Sequence, residues 1–337
     1  TLSFMMDFGL VGEGKLYKQG DIKSASNLLN ISNVAFTVPI YKKSAFVAGI
    51  SPYSSMGYDF SHDITDPSLI GSVGNINYRS YGEGGVYQIF AGGAATFWNK
   101  LSVGAQFLYY FGNIDKSTIM NFSESSYRDV YSGYILNLNA IGGNFGVQYE
   151  QALPSGLSLT VGATYKTSSK LKGYVTDYKY ATVSSVTDTL KYKTDTLSHG
   201  SNVKLASEYG VGIALKKGDR WRAEFNYTRS DWRNSNLENV IGFANAGDAK
   251  FSTTYSQSFR AGFEIVPNPN DIRYYMRRCS YRAGAYYNRD YYKLDGKDVN
   301  SFGITLGITF PVFRWYNGVS IGVDLGQRGT NSGTMIR

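Results

Sequence analysis

The sequence predicts an all-β protein, a transmembrane antiparallel β-barrel, and three observations carry that reading. Apolar side chains alternate with small or polar ones at a period of two along most of the chain. Each such run is about as long as the roughly 9–11 residues a tilted strand needs to cross a bilayer, and longer than the mean strand of soluble sheets. The connections between runs alternate between short turns and long polar loops, as in outer-membrane barrels with periplasmic turns and extracellular loops.

Thirteen strands are expected, near 2–17, 27–40, 44–60, 75–98, 100–114, 127–151, 156–172, 203–216, 219–232, 250–266, 272–289, 299–311 and 316–328. In the fifth, Leu101, Val103, Ala105, Phe107, Tyr109 and Phe111 share one face, and Ser102, Gly104, Gln106, Leu108, Tyr110 and Gly112 the other. The sixth breaks phase: Leu136, Leu138 and Ala140 are apolar at even positions, Phe145, Val147 and Tyr149 at odd ones. Gly142 and Gly143 lie between, which reads as a β-bulge. The seventh alternates from Leu157 through Val161 to Tyr165, and the eighth from Tyr209 through Ile213 to Leu215. Trp221, Ala223, Phe225 and Tyr227 share a face of the ninth; Phe259, Ala261, Phe263 and Ile265 share one of the tenth. The last two carry Phe302, Ile304, Leu306, Ile308 and Phe310, then Val319, Ile321, Val323 and Leu325. Aromatic residues fall near the ends of these faces, where interface girdles need them.

Composition agrees. The 337 residues hold 29 Tyr, 19 Phe and 38 Gly against 7 Pro, 2 His and 1 Cys. Cys279 alone excludes an internal disulfide and paired-cysteine metal sites, and no cofactor is implied. His62 and His199 lie far apart in polar stretches and read as exposed loop residues. The net charge is +8, but Lys and Arg are interleaved with Asp and Glu and form no basic run, so nucleic acid is not an expected partner. No stretch approaches 18 apolar residues, which excludes a transmembrane helix.

An even strand number closes bacterial single-chain barrels. The thirteen strands therefore imply a fourteenth beyond Arg337, or a count wrong by one. Residues 1–337 read as a single outer-membrane barrel domain whose beginning, at Thr1, is trimmed.

Two groups of residues carry the functional reading. The stretch GISPYSSMGY places Pro52 in mid-strand, where its missing N–H removes a ladder bond. In hydrocarbon that is tolerated at a bulge, a gap or a covered site. Ser51, Pro52, Tyr53 and Gly57 thus mark either a lateral opening or a bulge without traffic. On the polar strand faces, Lys166, Arg222, Glu224, Arg260, Glu264, Arg282 and Asp324 read as a lumen network of mixed sign that anchors a plug. Neither histidine lies on a strand face, so a Ser–His or Asp–His catalytic pair is not expected and the protein does not read as an enzyme. The run from Gly9 to Lys15 resembles a phosphate-binding loop, but Leu16 follows where Ser or Thr is needed.

The pieces ISPYSSMGYDF (50–60), GEGGVYQIFAGG (82–93), LSVGAQFLYYFGNI (101–114), SEYGVGIALKKGDRWRAEFNY (207–227), FEIVPNPNDIRYYMRRCSYRAGAYY (263–287), FGITLGITFPV (302–312) and GVDLGQRGT (322–330) occur in an order and spacing that resembles the FadL-type long-chain fatty acid transporters, in a Tyr-rich branch. The resemblance runs over nearly the whole chain. It implies a 14-stranded barrel of the Gram-negative outer membrane, a lumen plugged by an N-terminal hatch, and a kinked early strand that opens the wall toward lipid. The hatch, with its Asn-Pro-Ala motif, and the last strand are not among these residues. The expected function is passive uptake of a hydrophobic small molecule such as a fatty acid, with release into outer-membrane lipid near Pro52. The alternative is a barrel of this fold acting as a non-transporting subunit, with other outer-membrane proteins as partners, of an assembly or secretion complex. A continuous apolar lumen path would favour the first; a closed lumen with ordered loops would favour the second.

Overall fold

A computed structural model describes residues 4–19, 22–64, 66–124, 126–183, 186–197, 202–242, 245–246, 249–313 and 317–329. Twenty strands follow in chain order. The first eight are β1 (Met5–Gln19), β2 (Ile22–Tyr41), β3 (Ser44–Ser55), β4 (Tyr58–Ile64), β5 (Ile76–Phe97), β6 (Leu101–Phe122), β7 (Asp129–Leu153) and β8 (Leu157–Lys166). Then come β9 (Ser169–Lys170), β10 (Lys172–Val183), β11 (Val186–Thr196), β12 (Lys204–Leu205), β13 (Glu208–Lys217) and β14 (Trp221–Asp231). The last are β15 (Asn245–Ala246), β16 (Ala249–Thr253), β17 (Tyr255–Ile265), β18 (Ser280–Leu294), β19 (Lys297–Phe313) and β20 (Asn317–Gly329). One short helix, α1 (Pro67–Val73), sits in the loop before β5.

All pairings are antiparallel. They run as a meander: β1, β2, β3 with β4, β5, β6, β7, β8, β13, β14, β17, β18, β19, β20. Counting β3 and β4 as one broken strand gives thirteen rungs, the number expected. Among the described residues β1 pairs only with β2 and β20 only with β19. The expected fourteenth strand, and His199, lie outside the described residues; His62 is exposed but, contrary to the expected loop, lies in strand β4 opposite Tyr78.

The alternation of residues becomes a division of faces. Val103, Phe107, Tyr109, Val161, Ile213, Phe225, Phe263, Ile304 and Leu325 are all exposed, on the side away from the loops. An outward apolar band of this kind is stable facing lipid, not water. Cross-strand aromatic pairs ring its outer edge: Tyr87 with Phe111 at 6.1 Å, Tyr165 with Tyr209 at 5.0 Å and Tyr227 with Phe259 at 4.9 Å.

Three expectations are corrected. The sixth predicted strand, β7, contains no bulge: its register with β6 runs unbroken from Leu101–Tyr149 to Met120–Val130. What changes at Gly142 and Gly143 is the neighbour on the other edge, from β8 (Asn144 opposite Lys166) to β10 (Asn139 opposite Lys172). Below this point the apolar residues face lipid. Above it, Leu136 and Ala140 face inward and are buried, because loops fill the barrel there. Next, the segments read as loops at 114–127 and 172–203 are largely strand, with β6 continuing to Phe122 and β10–β11 forming a hairpin on β7. Finally, 272–279 is not strand: it belongs to a long turn ending in a 3-10 helix (Tyr275–Arg278), so β18 starts at Ser280.

Candidate functional site: the broken third strand and the filled lumen

The proline lies where the wall loses a rung. Pairing of β2 with β3 ends at Val34–Ile50, whereas β1 and β2 continue together to Gln19–Ile22. Pro52 is the second residue past that last rung, so its missing N–H falls where no β2 partner is paired. On the other edge Pro52 sits opposite Tyr87 and Ser54 opposite Val86. Tyr53 is therefore the extra residue of a bulge. Ser51 accepts a hydrogen bond from the Gln88 side-chain amide at 3.0 Å. Pro52 is central in the 44–64 stretch but level with Tyr87, at the outer girdle.

Beyond Ser55 the strand breaks at Met56–Gly57 and resumes as β4, still paired to β5. The Met56 amide bridges the break by donating to the Gly84 carbonyl at 2.9 Å. Gly57 has open space around it and no positive φ, so the bend does not depend on its being glycine. The partner strand carries that requirement. Gly84 has φ +105°, and a Cβ there would stand 2.3 Å from the Asn113 carbonyl oxygen. Sequence reasoning passed over Gly84, although the Gly-Glu-Gly-Gly run at 82–85 was the signal.

Inside the wall, the Tyr53 ring meets Tyr110 edge-on at 4.9 Å, and Tyr110 is fully buried. The Lys166 ammonium stands over both rings, 4.8 Å from Tyr53 and 5.5 Å from Tyr110. A cation over two desolvated rings contributes about 1–2 kcal/mol. Lys166 thus belongs to the kink, and the structure joins two sites that the sequence left separate.

Above this cluster the lumen is filled. Leu197, Val203, Leu205 and Val240 from the long loops pack with Val86, Leu108, Tyr110, Leu136, Ala140, Leu171 and Val175. The loops are tied down by main-chain bonds: Leu171 N–H to Val203 O at 2.9 Å and Lys204 N–H to Ser235 O at 2.9 Å, with β9 paired to β12. No periodicity announces these residues, because each loop contributes one or two apolar side chains to a core assembled from distant segments.

Below the cluster lies a cavity of about 570 Å³, lined by polar groups that include Gln106, Asn144, Asn226, Arg222 and Glu224 and by apolar residues that include Phe46, Val47, Val147 and Ile213. The other lumen residues form separate pairs, within β14, between β17 and β18, and from β18 across β19 to β20. Arg222 meets Glu224 at 2.8 Å, and Arg282 meets Glu264 at 3.1 Å. Asp324 accepts from the Tyr286 hydroxyl at 3.0 Å, and Arg260 stands opposite Tyr286 in register. These ion pairs are half-exposed, and each contributes about 0–1 kcal/mol. Among the described residues no ion pair links them to the filling loops, so the network that was expected to anchor a plug is a set of local wall contacts. No cluster of three or more metal-ligating side chains occurs among the described residues.

Among solved structures, the chain is similar to the toluene transporter TbuX of Ralstonia pickettii, at 16% identity and a TM-score of 0.54, covering 97% of this chain and 88% of that one. It is similar to the monoaromatic hydrocarbon channel CymD at 14% identity and a TM-score of 0.54, covering 97% and 83%. A FadL homologue of Pseudomonas aeruginosa aligns at 10% identity and a TM-score of 0.53, covering 99% and 84%. At these identities the likeness is one of fold, the FadL-like outer-membrane β-barrel fold. Among curated proteins none matches the chain. A family model described as BamG, a FadL-like outer-membrane barrel family, matches residues 3–337, and the chain belongs to that family.

Proposed function

We propose that this barrel is a non-transporting subunit of a larger outer-membrane assembly, with other outer-membrane proteins as its partners. The observation that carries the reading is the filled lumen. A transport path for an apolar molecule needs a continuous apolar passage. Here the outer half is occupied by a packed core of loop residues, which interrupts such a passage, and the inner half holds a cavity lined by apolar as well as polar groups. The ordered loops and the β10–β11 hairpin give the barrel a fixed outer surface that a passive pore does not need. The family name BamG hints at an assembly complex and agrees with this reading. The β1–β2 hairpin also supports it. Above the last β2–β3 rung it pairs with no other strand among the described residues, with Leu10, Leu16 and Leu29 exposed, and contiguous exposed apolar surface marks interaction sites.

A second reading has its own observation. The broken third strand and the β2–β3 gap supply a lateral exit for a hydrophobic molecule, and the fold neighbours include a toluene transporter and a monoaromatic hydrocarbon channel. In that reading the Tyr53–Lys166–Tyr110 cluster is the inner gate of a passive uptake path into outer-membrane lipid. Neither reading involves covalent chemistry.

Purification from native membranes in mild detergent, with a tag on this barrel and mass spectrometry of what accompanies it, separates the two. The subunit reading expects other outer-membrane proteins in fixed ratio and no small ligand. Elution of the barrel alone, carrying a lipid-like molecule, overturns it in favour of uptake.

A further inference from the structure

At the end opposite the long loops, the connections Tyr41 to Ser44, Phe97 to Leu101, Leu153 to Leu157 and Lys217 to Trp221 are tight. The connection from β17 to β18, residues 266–279, is far longer, and nothing in the sheet requires the extra length. It is also braced throughout. The Asp271 carboxylate accepts from the backbone N–H groups of Arg273 at 2.9 Å and Tyr274 at 2.8 Å, and meets Arg277 at 3.4 Å. The Asn268 N–H donates to Arg277 O at 2.8 Å, the Tyr275 hydroxyl to Pro311 O at 2.8 Å, and the Tyr281 hydroxyl to Met276 O at 3.0 Å. Cys279 is fully buried beneath the turn.

This bracing holds apolar side chains out in solvent. Ile272 is 101% exposed, with Tyr274 and Met276 each more than half exposed beside it. Cations surround them. Arg277 stacks over Tyr274 and Arg278 over Tyr275, each at 5.0 Å. With Arg273, the turn carries three arginines against the single Asp271, a net charge of +2 (3 − 1). The other turns at this end add Lys42, Lys43, Lys100, Lys217 and Arg220 against Asp219, of which Lys217, Asp219 and Arg220 are on the adjoining turn. A bilayer surface needs no fixed shape to receive such groups. A rigid apolar knob flanked by arginines and tyrosines instead has the composition and geometry of a protein–protein hot spot.

We propose that the turn 266–279 is a docking knob for a second, acidic protein at the short-turn end of the barrel. Ile272 enters an apolar pocket of that partner, and Arg273 and Arg278 meet carboxylates on its rim. The short-turn end is the periplasmic one in barrels of this architecture, so the partner is periplasmic or carries a periplasmic domain. This inference rests on the subunit reading and adds to it the surface and the chemistry of the contact.

The test places the photo-crosslinker p-benzoylphenylalanine at position 272 of the full chain in its native cells, with and without the charge reversal R273E/R278E. Unchanged heat-modifiable migration of the barrel confirms folding in each case. The expected result is a discrete protein adduct whose cross-linked peptide carries clustered Asp or Glu, with a yield that falls about tenfold on charge reversal. Adducts to lipid only, to a peptide without acidic residues, or with unchanged yield on charge reversal overturn the proposal. Should the reversed variant not fold, Ile272→Ser replaces it. That side chain supports nothing in the barrel, and its loss must lower partner recovery several-fold in a tagged purification. If other proteins still co-purify in fixed ratio while the cross-link fails, only the knob is wrong. If the barrel elutes alone, the subunit reading itself falls.

Discussion

Charging the core that fills the lumen should open the barrel without unfolding it. Val203 is 1% exposed among Leu136, Leu171, Val175 and Leu205, and its segment is held by main-chain bonds to Leu171 and Ser235, by side-chain bonds from Ser168 and Asn236, and by a two-residue pairing with β9. Val203→Asp forfeits the burial of the valine, about 1.5–3 kcal/mol. It also buries a carboxylate without a partner, which costs several kcal/mol more. A combined loss of about 4 kcal/mol raises the open population of the segment about a thousandfold. The segment opens before the wall does, since its pairing with β9 is two residues long while the strands around it, β6, β7 and β10, are paired on both edges. Hydrogen exchange at 169–171 and 203–205 should therefore accelerate while the strands stay protected. Ion conductance in planar bilayers should rise from the level of the unaltered barrel, and Val203→Ala, costing about 1–2 kcal/mol, should give a weaker form of both effects. If exchange shows the segment released and conductance does not change, the loop core is not what closes the lumen, and the reasoning fails.

Other perturbations give smaller or more local effects. Pro52→Ala should leave the barrel folded and heat-modifiable, with the β2–β3 gap intact, because β2 pairing already ends at Ile50; new protection of the residue 52 amide paired to β2 would show that proline alone makes the gap. Gly84→Ala introduces a Cβ 2.3 Å from a backbone carbonyl at φ +105° and should destabilise by about 1–3 kcal/mol, read as a lower melting temperature in detergent. Gly242→Ala, at φ +77° and 2.3 Å from the Tyr134 ring, should detach the 237–242 loop and speed its exchange without altering barrel melting. In the turn at 266–279, the backbone N–H of Tyr274 above all, then that of Arg273 and the Arg277 guanidinium, hold Asp271 below the usual carboxylate range. A depressed value means that the charged form stabilises the turn. That contribution is present above the ordinary value of 3.8 and is lost as pH falls below it. Resonances of Tyr274 and Tyr275 should shift on acidification, and Asp271→Asn should show much of the acid spectrum at neutral pH.

The lower half of this protein was legible in its sequence because one physical constraint acts on it uniformly. Where lipid lies outside and a polar lumen inside, every second residue must be apolar, and the runs from Leu101 to Phe111, Trp221 to Tyr227 and Phe302 to Phe310 show it. The proline was legible for the same reason: a residue that cannot donate stands out against a regular ladder. The turn at 272–279 misled because Ile272, Tyr274 and Met276 alternate with arginines as a strand would. Only Asp271, which caps two amides at once, turns the chain instead, and a single aspartate gives little warning of that. The clustering of Lys166 with Tyr53 and Tyr110 was not legible, since it depends on a one-residue bulge that swings Tyr53 inward from a strand remote in sequence.

The inversion within β7 bears most directly on function. One continuous strand, in unbroken register with β6, shows apolar residues outward at Phe145, Val147 and Tyr149 and inward at Leu136, Leu138 and Ala140. A strand that lined an aqueous channel along its whole length would have no use for the second set. Those residues are stable only because Leu171, Val175, Leu197, Val203, Leu205 and Val240 come down onto them. The chain thus devotes the inner face of its upper wall to holding its own loops in place. An uptake route would have to leave through the side at Tyr53 or displace that core. A subunit that presents a fixed outer surface to partners gains from the same packing directly, since residues ordered before association are not ordered at the expense of binding.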